Sequence, residues 1–119
     1  MSIIFLIDDE DFRLSVQKVS DYLTDHYNVL KNEQLEDEHR AYCHEWELAY
    51  GKHDVELKLH CDLDSITFIG ELESLVNLIL EVHESLISEG VEVIIFDEEY
   101  SFQLTLKRGM KAEDVLNEM

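Results

Sequence analysis

Cys43-His44 and His60-Cys61 are adjacent pairs of soft ligands, and together they could begin a zinc site. Structural zinc takes four ligands, usually in Cys-x-x-Cys or His-x-x-x-His spacings, and neither spacing occurs in the chain. The pairs therefore read as ordinary packing of small thiols and sheet histidines, and neither a metal nor a cofactor is expected. The chain contains no Gly-x-Ser-x-Gly, no glycine-rich phosphate loop and no His-Glu-x-x-His. Carboxylates are so numerous that neighbours in sequence identify no acid–base pair. His83, between Ile79 and Leu86 on a helical stripe, reads as a satisfied boundary histidine. No catalytic residue is assigned, and the chain is expected not to be an enzyme.

The 28 carboxylates stand against nine Lys and Arg, for a formal net charge of −19. Such a charge opposes direct binding to a nucleic-acid backbone or an anionic membrane, since both need a basic surface. Its natural complement is a basic protein. Two cysteines are too few for a disulfide framework. The apolar start lacks a basic leader and runs into Asp8-Asp9-Glu10-Asp11, so a cytoplasmic location is expected.

The elements that would position these residues follow from periodicity. With 119 residues and 45% apolar content, residues 1–119 read as one domain around one core. Ser2 to Ile7 is apolar on both faces, as an interior strand should be. Phe12, Val16, Val19 and Leu23 predict an amphipathic helix over about residues 9–26, with Asp8 and Asp9 as its caps. The stretch from Leu35 to Ala49 permits a helix ending at Gly51, or a strand in which Trp46, Leu48 and Tyr50 alternate with acids. The strand is favoured because Val55, Leu57, Leu59 and Cys61 alternate in step with it. A four-residue loop, Gly51 to Asp54, would pair Trp46 with Leu59, set Glu47 against Lys58 and place His44 opposite Cys61. In that register Cys43 and Cys61 lie on opposite faces.

Leu72, Leu75, Ile79, Val82 and Leu86 predict a helix over about residues 70–88, ended by Gly90. Val91 to Phe96 reads as a second interior strand, and Tyr100, Phe102, Leu104 and Leu106 as a strand with one wet face. A short helix closes the chain. The expected fold is α+β: an antiparallel sheet of about five strands with two main helices packed on it, in the order β-α-β-β-α-β-β-α.

Ile3 to Glu10, with the helix after it, resembles the opening of bacterial response-regulator receiver domains. In that family paired acids after the first strand bind Mg²⁺ beside a phosphorylatable Asp. The rest departs from the pattern: Glu56, Lys58 and His60 interrupt the strand before Asp62, and no proline is present for the family's Lys-Pro pair.

Acids cluster at Asp8–Asp11, at Glu33, Glu36, Asp37 and Glu38, at Glu45 and Glu47, and at Asp97, Glu98 and Glu99, interleaved with Tyr42, Trp46, Tyr50 and Tyr100. Acids speed encounter with a basic partner, and aromatics supply much of the binding energy at interfaces. The clusters from Glu33 to Glu47 and from Asp97 to Glu99 are the candidate partner-binding residues. Leu72-Glu-Ser-Leu-Val and Val93-Ile-Ile-Phe-Asp-Glu-Glu-Tyr100, in a small acidic chain, are similar to immunity proteins of polymorphic-toxin and contact-dependent growth inhibition systems. The resemblance implies a toxin inhibitor that covers the basic surface of a cognate toxin domain, possibly a nuclease. The alternatives are a receiver-like signalling domain and a non-catalytic subunit of a larger complex.

Overall fold

The computed structural model describes residues 1–36 and 41–119. Its elements are β1 (Ser2–Ile7), α1 (Val16–His26), β2 (Asn28–Gln34), β3 (Tyr42–Tyr50), β4 (His53–His60), β5 (Ser65–Ile69), α2 (Leu72–Leu86), β6 (Val93–Asp97), β7 (Gln103–Thr105) and α3 (Ala112–Asn117). The strands form one sheet in the order β2-β3-β4-β5-β1-β6-β7, and every neighbouring pair is antiparallel. The class is α+β as expected, with seven strands where about five were anticipated. The two additions are β2, whose polar sequence hides an edge strand, and β5, which reads in sequence as the lead-in to α2. With no repeated βα units, the receiver likeness is confined to β1 and the acids after it.

Both doubly apolar runs, β1 and β6, lie inside the sheet. One face carries the core: Ile3, Phe5, Trp46, Leu48, Leu57, Phe68 and Ile95 are at most 1% exposed and pack under the helices with Leu75, Ile79 and Val82 of α2. Trp46 is thus a core residue, and its Nε1 donates to the Ser20 hydroxyl of α1 at 3.0 Å.

Helix α1 begins seven residues later than its stripe predicts. The Leu14 amide donates to the Leu63 carbonyl at 2.8 Å and the Asp8 amide to that of Glu92 at 2.8 Å, which anchors both ends of the intervening loop, with a turn at Glu10 and Asp11 between them. Phe12 still packs against the core, but from a loop. Ser15 caps the helix by accepting from the Lys18 amide; Asp8 and Asp9 do not, and the Asp9 carboxylate instead accepts from the Asp11 amide. Helix α2 is capped by Glu71, whose carboxylate accepts from the amides of Glu73 and Ser74. It ends at Leu86. Arg108 takes up the carbonyls of Glu84 and Ile87, and Gly90, at φ +90°, serves the following turn rather than the cap.

The β3–β4 hairpin forms, and the helical reading of its first strand falls. Its register differs by two residues from the expected one. Gly51, at φ +61°, opens a two-residue turn with Lys52, so Tyr50 faces His53, Leu48 faces Val55 and Trp46 faces Leu57. An even shift leaves every side chain on its expected face while changing its partner. Glu45 now faces Lys58, Glu47 faces Glu56, and His44 faces Leu59 instead of Cys61. A bulge between Tyr42 and His44 turns Cys43 toward the core, so the thiols of Cys43 and Cys61 become neighbours instead of lying on opposite faces.

Candidate functional site

The helices cover one face of the sheet, and among the described residues no helix lies on the other. Along the pairings Glu33–Glu45–Lys58–Thr67–Ile4–Phe96–Gln103, the side chains of that open face pass from polar to apolar at Ile4 and Phe96 and end on the polar Gln103 of the edge strand. The parallel row is Lys31–Glu47–Glu56–Ile69–Ser2, and Leu6 stands beside Ile94 in the next. The open face therefore has two halves. Strands β2, β3 and β4 present Glu33, Glu45, Glu47 and Glu56 with two bases. Strands β5, β1 and β6 present Ile69, Ile4, Leu6, Ile94 and Phe96, all partly exposed and none packed into the core.

In the acidic half, Lys31 contacts Glu33 at 3.3 Å and pairs closely with Glu45. Those hydrogen bonds, Glu45's first, hold the Lys31 ammonium above its ordinary range. Lys58 sits 5.7 Å from the centre of the Tyr42 ring, a cation–π distance. Glu47 and Glu56 are left side by side as a like-charged cross-strand pair. Glu36 is exposed just beyond β2, whereas Asp37 and Glu38 lie outside the described residues.

The second predicted cluster lies at the opposite side of the sheet. Asp97 is buried, and its carboxylate accepts from the Ser101 amide at 2.6 Å, from the Ser101 hydroxyl and from the Phe102 amide at 3.4 Å. These bonds, the Ser101 hydroxyl's first, depress its pKa. Asp97 thus organises the β6–β7 turn, and only Glu98 and Glu99 of that cluster face solvent. The next residue, Tyr100, is 74% exposed and holds φ +55°, with its ring stacked on Phe96 at 5.2 Å and 10° between planes.

The sheet histidines do not converge on the cysteines. His44 packs against Trp46 with the rings tilted 37° and their centroids 4.6 Å apart, and its Nε2 pairs with the Asn32 side chain. Burial lowers its pKa, with the Glu45 charge opposing. His60, Asp62 and Asp64 come within 4.8 Å of one another, but the His60 Nδ1 nearest them already accepts from the Asp62 amide at 3.2 Å. Three groups, two partly exposed and Asp62 exposed, fall short of the closed set of four that a structural zinc takes. Asp8, Asp9, Glu10, Arg13 and Asp64 line a hollow of about 270 Å³ at the end of β1. His83 departs from expectation: it is 3% exposed and its Nδ1 has no partner among the described residues.

Sequence reasoning found the acids of β2 and β3 but missed the apolar half of the same face. A doubly apolar run reads as buried on both sides, and nothing in it says which side the helices leave open. No described helix is long and apolar enough to cross a membrane. No family model, curated protein or solved structure matches this chain.

Proposed function

We propose that this chain is a binding protein of the inhibitor type, an immunity protein that neutralises a toxin domain by covering its basic surface. The observation that supports this reading is the acidic half of the open face. Glu33, Glu45, Glu47 and Glu56 project from three adjacent strands on one side of the sheet, against Lys31 and Lys58 among the described residues of those strands. Rigid strands hold the charges in a fixed pattern, and the excess of −19 draws a basic partner in at long range. Steering of this kind is screened beyond about 10 Å at 0.1 M salt, so the association rate falls as salt rises.

The test is rescue of growth in cells expressing a candidate basic toxin domain. The wild-type chain restores growth, and the variant Glu45→Gln, Glu47→Gln, Glu56→Gln restores it poorly while melting at the same temperature or higher. Failure of the wild type to protect overturns the inhibitor reading. Full protection by the variant overturns the assignment to this face.

A further inference from the structure

We infer that the apolar half of the open face is the anchoring half of the docking surface, with the Phe96–Tyr100 stack as its hot spot. The partner it fits is a protein surface with an apolar centre and a basic rim. The inference rests on the inhibitor reading above and names where that partner is held.

Three observations converge on it. Ile4, Leu6, Ile69, Ile94 and Phe96 are contiguous across β5, β1 and β6 and stay partly exposed outside the core. Contiguous apolar surface of this kind marks interaction sites, whereas single exposed apolar residues do not. Tyr100 extends the patch past the edge of the strand, being 74% exposed and stacked on Phe96. Its φ of +55° is left-handed backbone, which glycine adopts freely and a bulky side chain does not. An exposed aromatic held at a glycine-type position contributes nothing to the core that would explain its presence. Strain retained at an exposed site points to a role outside folding.

The rim supplies the charge argument. Glu56 flanks Ile69, and Glu98 and Glu99 line a hollow of about 340 Å³ at one end of β1 with Met1 and Ser2. The Met1 amine there is engaged with the Gly70 carbonyl at 3.1 Å. At the other end, Asp8, Asp9, Glu10 and Asp64 line a hollow together with Leu6, with Arg13 as the base among them. Acids thus border the apolar patch on three sides, which is the complement of an apolar centre ringed by Lys and Arg. A second copy of this chain would bring acid against acid across the same rim, with −19 on each copy.

Two synthetic peptides of equal positive charge test the inference by NMR titration: an amphipathic helix of Leu, Phe and Lys, and an oligolysine. The amphipathic peptide is expected to shift the side-chain signals of Ile4, Leu6, Ile69, Ile94, Phe96 and Tyr100. Oligolysine is expected to move carboxylates alone, those of β2 to β4 and of the rim, and to leave the six apolar-patch side chains in place. Tyr100→Gly relieves the left-handed strain, so melting is unchanged or raised. Its affinity for the amphipathic peptide falls roughly tenfold, as for a modest hot spot, while oligolysine binding stays the same. If both peptides shift only the carboxylates, the apolar anchor is wrong and the acidic-face reading survives. If neither binds, both fall. A dimer in sedimentation whose dissociation on dilution shifts the same six residues replaces the basic partner with a second copy and overturns the inference.

Discussion

The phenol of Tyr27, just past α1, donates to Glu81 of α2 at 2.6 Å across 54 residues of sequence, and Tyr50 of β3 donates to the same oxygen at 3.1 Å. One carboxylate of α2 therefore holds the C-terminal end of α1 and the end of β3. Burial and then the Glu81 hydrogen bond drive the Tyr27 phenol far above its ordinary range, and burial and then the Glu81 charge push Tyr50 up to about 12. Both phenols stay neutral in the fold after the unfolded chain has begun to ionise. Stability is complete below the ordinary value of 10.0 and falls as pH rises through it. Glu81→Gln is expected to bring the Tyr50 tyrosinate absorbance transition back toward 10.0. Glu81→Ala is expected to lose about 1 kcal/mol at neutral pH, because the carboxylate end is exposed. An unmoved phenol titration in the glutamine variant would leave burial as the whole cause.

His83 makes the opposite prediction at acid pH. Burial first, and then the Arg108 charge, lower its pKa, with Glu84 opposing; Phe5 meets its ring edge-on at 6.4 Å. Because the folded value lies below the ordinary 6.5, stability is complete above that pH and is lost as pH falls through it. His83→Leu removes both the proton uptake and the unpaired Nδ1. At pH 7 it is expected to raise stability by about 1 kcal/mol, the lower end of what an unpaired buried polar group costs. Urea melts at pH 7 and pH 5 decide it: a wild-type slope that persists in the variant moves the acid sensitivity elsewhere.

The Glu47–Glu56 pair separates folding from binding. Glu56→Lys replaces repulsion with attraction across β3 and β4 and is expected to gain about 0.2–1 kcal/mol in a thermal melt. The same change removes an acid from the rim of the apolar patch, so association with a basic partner slows. Equal association rates at low salt for the two proteins would take Glu56 out of the interface.

Asp97 is expected to behave as a structural residue. Asp97→Ala leaves the amides of Ser101 and Phe102 without their acceptor and lowers the melting temperature by several degrees. Its depressed pKa means that this contribution is present above the ordinary 3.8 and is lost as pH falls through the folded value below it. Asp97→Ala melting like wild type, with weaker partner binding, would return this carboxylate to the interface.

Much of the architecture was legible where one local rule acts alone. Periodicity located α2 within two residues at each end, and the doubly apolar runs were read as the interior strands β1 and β6. Reading failed where a distant partner overrides a local signal. The Phe12 stripe promised about two more turns of α1 than its start at Val16 allows, because hydrogen bonds to Leu63 and Glu92 tie the backbone at Leu14 and Asp8 into the rest of the fold before Ser15. Strand β2 has no alternation to detect, since an exposed edge buries almost nothing.

The sequence by itself determined the acidic excess, the α+β class, the alternation that divides each strand of the hairpin into two faces, and the absence of any dense metal or nucleophile motif. These are properties of composition and of period, and a shift of register by two does not disturb them. Only the tertiary structure decided that Glu33, Glu45, Glu47 and Glu56 share one open face with Ile4, Ile94 and Phe96. That juxtaposition depends on β1 inserting between β5 and β6, a pairing between segments far apart in the chain. An apolar side chain looks the same in sequence whether a helix or a partner covers it; the packing of α1, α2 and α3 on a single face makes the difference.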